Sequence, residues 1–316
     1  MRALITGITG QDGAYLANFL LSKRYDVHGL IRSHSPNLQN LNHFNLAPRL
    51  TFHQGDLTDP SDTRRVVAMG FDEIYNLGAQ SFVGTSWQQP LTTTQVNALG
   101  PLHLLEAIRH LSPRTKFYQA STSEMFGNSP GPQNEDTPFQ PRSPYGVAKL
   151  YGHHITKNYR ESFGLFACSG ILFNHESPIR GPQFVTRKIS KGIAAVVAGR
   201  ETHIKLGSLD AKRDWGFAGD YVRAMWLMMQ QKEPGDYVVA TGETHTVGEF
   251  VEAAFQEVGL DWRKHVRFDE ALVRPAEVNL LQGDPRRILD LGWEPEVGFR
   301  ELVRKMVQWD CYGVRI

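Results

Sequence analysis

The chain has 316 residues, 41% of them hydrophobic, enough to bury one large core or two modest ones. Its 34 lysines and arginines nearly balance 33 aspartates and glutamates, and a net charge of +1 leaves no footprint for a nucleic-acid partner. With no run of eighteen apolar residues and a first strand beginning at residue 2, the expectation is a cytoplasmic chain with neither membrane span nor signal peptide. Cys168 and Cys311 read as buried thiols rather than a disulfide.

In chain order, Arg2–Thr6 is a short apolar run ending at Gly7-Ile8-Thr9-Gly10-Gln11-Asp12-Gly13, after which residues 14–21 carry an apolar stripe at helical spacing. Strand, glycine turn and helix form the context of a dinucleotide site. The glycines let backbone approach a pyrophosphate, and the amides of the first helical turn point at it. A second strand, Asp26–Ile31, ends without the acidic residue that would hold an unphosphorylated ribose. Arg32-Ser33 follows, and an arginine beside a hydroxyl suits the 2′-phosphate of NADP.

Strands at about 50–55, 73–77 and 116–121 then alternate with helices from Pro60 and over about 92–111. This rhythm predicts an α/β fold, a Rossmann-type doubly wound parallel sheet with ligands at the carboxyl ends of its strands. Asp56, the run from Leu77 to Ser81, and Thr122, Ser123 and Glu124 all fall at such ends.

Residues 127–143 are rich in Pro, Gly, Asn and Gln without apolar period and read as a loop. A helix opens at its close, with Ser143 as N-cap and Pro144 in the first position, and carries Tyr145 and Lys149. Four residues apart on a helix, the ammonium can hold the phenol partly ionised as a base near neutral pH. Glu124 adds a carboxylate that a plain dehydrogenase does not need. Beside the same substrate carbon it can take a C–H proton and return it to a leaving hydroxyl, so the set points to elimination as well as oxidation.

A strand at about 166–173 delivers Asn174 and His175, and the pattern then breaks into mixed elements, with helices near 185–198, 219–230, 247–258 and 298–312. The break marks a smaller α/β substrate domain. Residues 1–173 and about 214–240 form the dinucleotide-binding part, and about 174–213 and 241–316 the substrate part. Arg180, Lys188, Arg213 and Arg274 stand there at irregular or helix-start positions from which a diphosphate can be reached. The twelve histidines include no His-x-x-x-His pair, and no metal site is expected.

Gly7-x-x-Gly10-x-x-Gly13, Gly55-Asp56-Leu57, the run from Asn76 to Ser81, Ser121-Thr122-Ser123-Glu124 and Tyr145-x-x-x-Lys149 together resemble the extended short-chain dehydrogenase/reductase family. Asn174-His175-Glu176-Ser177-Pro178, residues 207–216 and Arg274-Pro275-Ala276-Glu277 narrow the resemblance, nearly end to end, to the GDP-mannose 4,6-dehydratases. The resemblance implies conversion of GDP-D-mannose to its 4-keto-6-deoxy derivative, with Thr122, Glu124, Tyr145 and Lys149 catalytic. NADP would be held by Gly7, Thr9, Gly10, Gln11, Asp12, Gly13, Arg32, Asp56, Leu57, Leu77, Gly78, Ala79, Gln80, Ser81, Thr92, Tyr145, Lys149, His175 and Arg180. The sugar nucleotide would meet Ser81, Thr122, Ser123, Glu124, Tyr145 and Asn174, with Lys188, Arg213 and Arg274 on its diphosphate and Glu277 on its ribose.

It also implies a homodimer or homotetramer, built on the helices near 92–111 and 144–163. Two positions depart from the family pattern: Arg32-Ser33-His34-Ser35 stands where two consecutive arginines are expected, and Thr92 where a cofactor-contacting tyrosine is. Two readings stay open beside this one, a dehydratase of a close analogue such as a GDP-heptose, and a 4-epimerase or 4-keto reductase, which would not need Glu124.

Overall fold

The computed structural model describes residues 1–32, 36–272, 276 and 278–314. In chain order its strands are β1 (Arg2–Thr6), β2 (Asp26–Ile31), β3 (Thr51–Gln54), β4 (Glu73–Asn76), β5 (Lys116–Thr122), β6 (Ala167–Leu172), β7 (Asn174–Glu176), β8 (Ile204–Leu206), β9 (Lys212–Arg213), β10 (Trp215–Phe217), β11 (Asp236–Val239), β12 (His245–Thr246), β13 (Val266–Phe268) and β14 (Leu280–Leu281). Seven of them form one parallel sheet in the order β11-β6-β5-β4-β1-β2-β3.

Such a sheet is covered on both faces, which is why β1 and β6 read as almost unbroken apolar runs. Alternate residues serve opposite cores: Ala3 and Ile5 join Leu16, Leu20, Met225 and Met228, whereas Leu4 joins Val66, Leu104, Ile108 and Tyr159. Each such leucine or isoleucine, removed fully from water, contributes about 2 kcal/mol. A further core, with Ile189, Ile193, Trp215, Phe250, Phe255, Leu302 and Met306, draws only on residues from 189 onward. Small sheets accompany it, β10 beside β7, β9 between β12 and β14, and β13 beside β8.

The expected strands and helices through residue 122 are present, with one difference. The helix expected over about 92–111 is three pieces, Pro90–Thr94, a π-helical segment Gln95–Leu99, and Gly100–Leu111. Pro101 has no N–H for the carbonyl four residues back and its ring crowds that turn, so the chain widens there. The helix Pro144–Phe163 starts as its sequence suggests, with Ser143 Oγ accepting from the Gly146 amide at 3.0 Å, and stops at Gly164, whose φ is 66°. Residues 127–143 hold no helix, and Gln133 there is fully buried and bridges to Gly283.

Candidate active site

The strand order reverses at β1, so the crevice of the sheet opens between the carboxyl ends of β1 and β4. A short ladder of side chains ties those ends together. Thr6 Oγ1 donates to Asn76 Oδ1 at 2.6 Å and accepts from the Gly78 amide at 2.9 Å, while Asn76 Nδ2 reaches Gln119 on β5 at 2.8 Å. Two glycine turns meet above it. A Cβ on Gly7 would lie 2.8 Å from the Gly78 nitrogen, and one on Gly13 would lie 2.5 Å from the Gly7 carbonyl oxygen. The helix Gln11–Ser22 begins at Gly10, so no side chain caps its first turn.

A cleft of about 1190 Å³ spreads from this point. Gly7, Thr9, Gly10, Gln11, Asp12, Gly13, Arg32, Asp56, Leu57, Leu77, Gly78, Ala79, Gln80, Ser81, Thr92 and Arg180 all line it. Asp56 is held by the Thr58 amide and hydroxyl, each 2.9 Å from its Oδ1. Arg32 is exposed and also borders a smaller hollow with His53 and Arg65. Thr92, in the place expected for a tyrosine, lies on the cleft wall.

Tyr145, Lys149 and His175 are buried outside that lining. Lys149 Nζ donates to the Ala120 carbonyl at 2.9 Å and sits 6.0 Å from the Tyr145 ring centre. The helix-face expectation that lysine lowers the phenol is not met in the protein alone. Burial pushes Tyr145 up to about 12, with Glu124 adding to the rise and a hydrogen bond with Thr122, along with Arg180, opposing it. Burial likewise brings Lys149 down to about 8, opposed by the charge of Asp12. Thr122 Oγ1 also accepts from the Glu124 amide at 3.2 Å, so one hydroxyl positions both the phenol and the start of the turn bearing the carboxylate.

His175 stacks on Tyr221, its ring centre 4.6 Å away, and pairs with Asp12 at 2.7 Å. Burial alone would raise Asp12, but the charge and hydrogen bond of His175 bring it down to about 2; His175, which burial alone would lower, is raised by Asp12. Arg180 pairs with the buried Glu176 at 3.1 Å and lies over Phe184. Asn174 opens β7 beside Trp215. Lys188, half-buried and lowered mainly by burial, and the buried Arg213 on β9 stand outside the cleft lining. Arg274 and Glu277 lie outside the described residues, as does Ser33 of the arginine-pair departure.

Asn97 is a site residue that sequence reasoning missed. Its side chain accepts from the Gln80 amide and donates to the Gln80 carbonyl, both at 2.9 Å, and so clamps one wall of the cleft. The signal was Gly100-Pro101 inside an apparent helix, since the π turn it forces re-aims Asn97. Asn40, whose amide donates to Thr9 O at 3.0 Å, and His43 and Trp309, in contact with each other, also line the cleft and were not singled out.

A family model described as GDP-mannose 4,6 dehydratase matches residues 4–306. The chain is similar to GDP-mannose 4,6 dehydratase 2 of Arabidopsis thaliana, 55% identical over 98% of the chain and 86% of that relative. It is similar at 50% to the GDP-mannose 4,6 dehydratase of Cricetulus griseus, over 99% and 92%. Among solved structures it resembles a dTDP-glucose 4,6-dehydratase of Streptomyces venezuelae with NAD and TYD bound, with TM-score 0.87 and 25% identity over 98% of the chain and 96% of the other. It also resembles the UDP-glucose 4-epimerase of Thermus thermophilus complexed with NAD, with TM-score 0.86 and 27% identity over 99% and 100%.

Proposed function

The chain belongs to the GDP-mannose 4,6-dehydratase family, and from this premise we propose how its residues carry out the reaction. It converts GDP-D-mannose to GDP-4-keto-6-deoxy-D-mannose and water with a nicotinamide cofactor. The residues present fit such a cofactor. The uncapped first turn after Gly10 offers amides to a pyrophosphate, and the glycine turns bring backbone where no Cβ fits. Gly7 to Gly13 and Leu77 to Ser81 hold its length, and Arg32 takes the 2′-phosphate that makes it NADP. The chemistry the bound nicotinamide ring supplies is hydride exchange with the sugar, out at C4 and back at C6.

Tyr145 removes the 4-hydroxyl proton, with Thr122 bonded to the phenol. Because burial holds the phenol high in the protein alone, where Lys149 is already in place, its activation needs further positive charge, which an oxidised nicotinamide ring would supply. Glu124 takes the C5 proton, acidified by the 4-keto group, and passes it to the departing C6 hydroxyl. Ser81, Ser123 and Asn174 meet the hexose, Lys149, His175, Arg180 and Thr92 the cofactor, Lys188, Arg213 and Arg274 the diphosphate, and Glu277 the nucleotide ribose. The dinucleotide part comprises residues 1–173 and about 214–240, the sugar-nucleotide part the rest. No helix among the described residues is long and apolar enough to cross a membrane, and we place the enzyme in the cytoplasm. Two copies join through the helices Pro90–Thr94, Gly100–Leu111 and Pro144–Phe163 and the π segment Gln95–Leu99, whose outer faces expose Leu91, Leu99, Val147 and Tyr151.

The observation that carries the mechanism is Thr122, bonded at once to Tyr145 and to the Glu124 turn. The test offers purified protein a panel of sugar nucleotides and records loss of one water by mass. GDP-mannose gives the 4-keto-6-deoxy product; Tyr145→Phe gives neither product nor C5 deuterium exchange; Glu124→Gln retains transient cofactor reduction while product formation falls about 100-fold. Product at the wild-type rate from Glu124→Gln would remove the basis for the assignment.

A further inference from the structure

The mechanism above gives no role to the charge of one buried pair inside the site. His175 Nδ1 lies 2.7 Å from the Phe173 carbonyl oxygen and Nε2 lies 2.7 Å from Asp12 Oδ2. A carbonyl and an ionised carboxylate only accept, so both ring nitrogens carry hydrogen and the ring is an imidazolium. The pair has a direction. Asp12 lines the cleft and His175 does not, so the negative end faces the cavity and the positive end is buried behind it against Tyr221.

Further contacts fix that carboxylate. Gln11 Nε2 donates to its Oδ1 at 2.9 Å, and Gln11 is itself held by Ser177 Oγ at 2.7 Å and by the His175 carbonyl at 3.2 Å. Asp12 also stands in the first turn of its helix, where the backbone dipole favours an anion. Its place along the cleft is the reactive end. His175, which Asp12 contacts, follows β6, whose Leu172 pairs with Thr122 of β5, whereas Arg32 follows β2 on the other side of β1.

We infer that Asp12 is an electrostatic positioning residue whose fixed carboxylate, held by His175, biases the bound cofactor toward its oxidised form. This rests on the reading of the cleft as the nicotinamide site. The oxidised ring carries one positive charge and the reduced ring none, so a nearby anion favours the former. Reduced cofactor thereby returns its hydride readily, as a reaction that must regenerate its own cofactor requires. A neutral side chain of the same shape would lose the bias and keep the pocket.

The test titrates NADP⁺ and NADPH separately against wild type, Asp12→Asn and Asp12→Glu, with thermal melts to show that each variant is folded. Asp12→Asn is expected to shift the ratio of the two dissociation constants toward NADPH by about tenfold, and Asp12→Glu to stay within about threefold of wild type. In the cofactor-free protein, ring-nitrogen NMR of His175 is expected to show an imidazolium in wild type that titrates at lower pH in Asp12→Asn. A folded Asp12→Asn with an unchanged ratio overturns the inference and leaves the cleft assignment standing. Failure of wild type to bind either form overturns both.

Discussion

Arg32 is expected to separate NADP from NAD on charge alone. It is exposed, lines the cleft, and no acidic side chain takes its place at the end of β2. Charge-assisted bonds to a 2′-phosphate are worth about 1.5–3 kcal/mol, so NADP is expected to bind at least about tenfold tighter than NAD. Arg32→Ala should erase most of that difference in a titration. The Asp12–His175 pair makes a second prediction at this scale. Asp12 is lowered to about 2, so its share of stability is present above its unfolded value of 3.8 and is lost as pH falls through about 2. His175 is raised, so its share is full below 6.5 and fades as pH rises past its folded value. His175→Gln should therefore cost about 2 kcal/mol near pH 5 to 6, with the gap to wild type narrowing in alkali, as followed by chemical denaturation.

At the scale of elements, two turns decide whether the cleft exists. A Cβ at Gly13 would meet Gly7 O and Ile8 Cα at 2.5 Å, both backbone atoms of the turn itself. Gly13→Ala must spread the first helix from β1, so a cost of about 3 kcal/mol and a loss of cofactor affinity are expected in melts and titrations. The π segment Gln95–Leu99 does similar work from the other wall by presenting Asn97. Asn97→Ala leaves the Gln80 N–H and C=O without their side-chain partner, which costs about 1–3 kcal/mol, and cofactor affinity should fall while the rest of the sheet keeps its thermal stability.

For the molecule as a whole, Leu91 is 80% exposed and Val147 57%, on helices that pack side by side. A chain with 41% hydrophobic content has a large core in which to hide them, so an outward apolar face on neighbouring helices is expected to receive a second copy. Light scattering at micromolar concentration should return at least twice 35.6 kDa, and Val147→Asp should shift the protein to single chains.

What the sequence by itself determined was local and periodic. Strand, glycine turn and helix from residue 2, the Ser143-Pro144 helix start, and the alternation that makes a parallel sheet all follow from steric rules acting over a few residues. The glycine turn from Gly7 to Gly13, Asp56 with Leu57, and the run from Leu77 to Ser81 were legible for the same reason, because strand ends converge once the sheet is parallel. Only the tertiary structure decided the electrostatics. Spacing placed Lys149 on the face of Tyr145, yet its Nζ turns to Ala120 O and burial governs the phenol. The Asp12–His175 pair joins residues 163 positions apart, and Asn97 reaches Gln80 only because Pro101 widens a helix. Protonation depends on desolvation and on charges brought near by distant parts of the chain, and no window of sequence contains either.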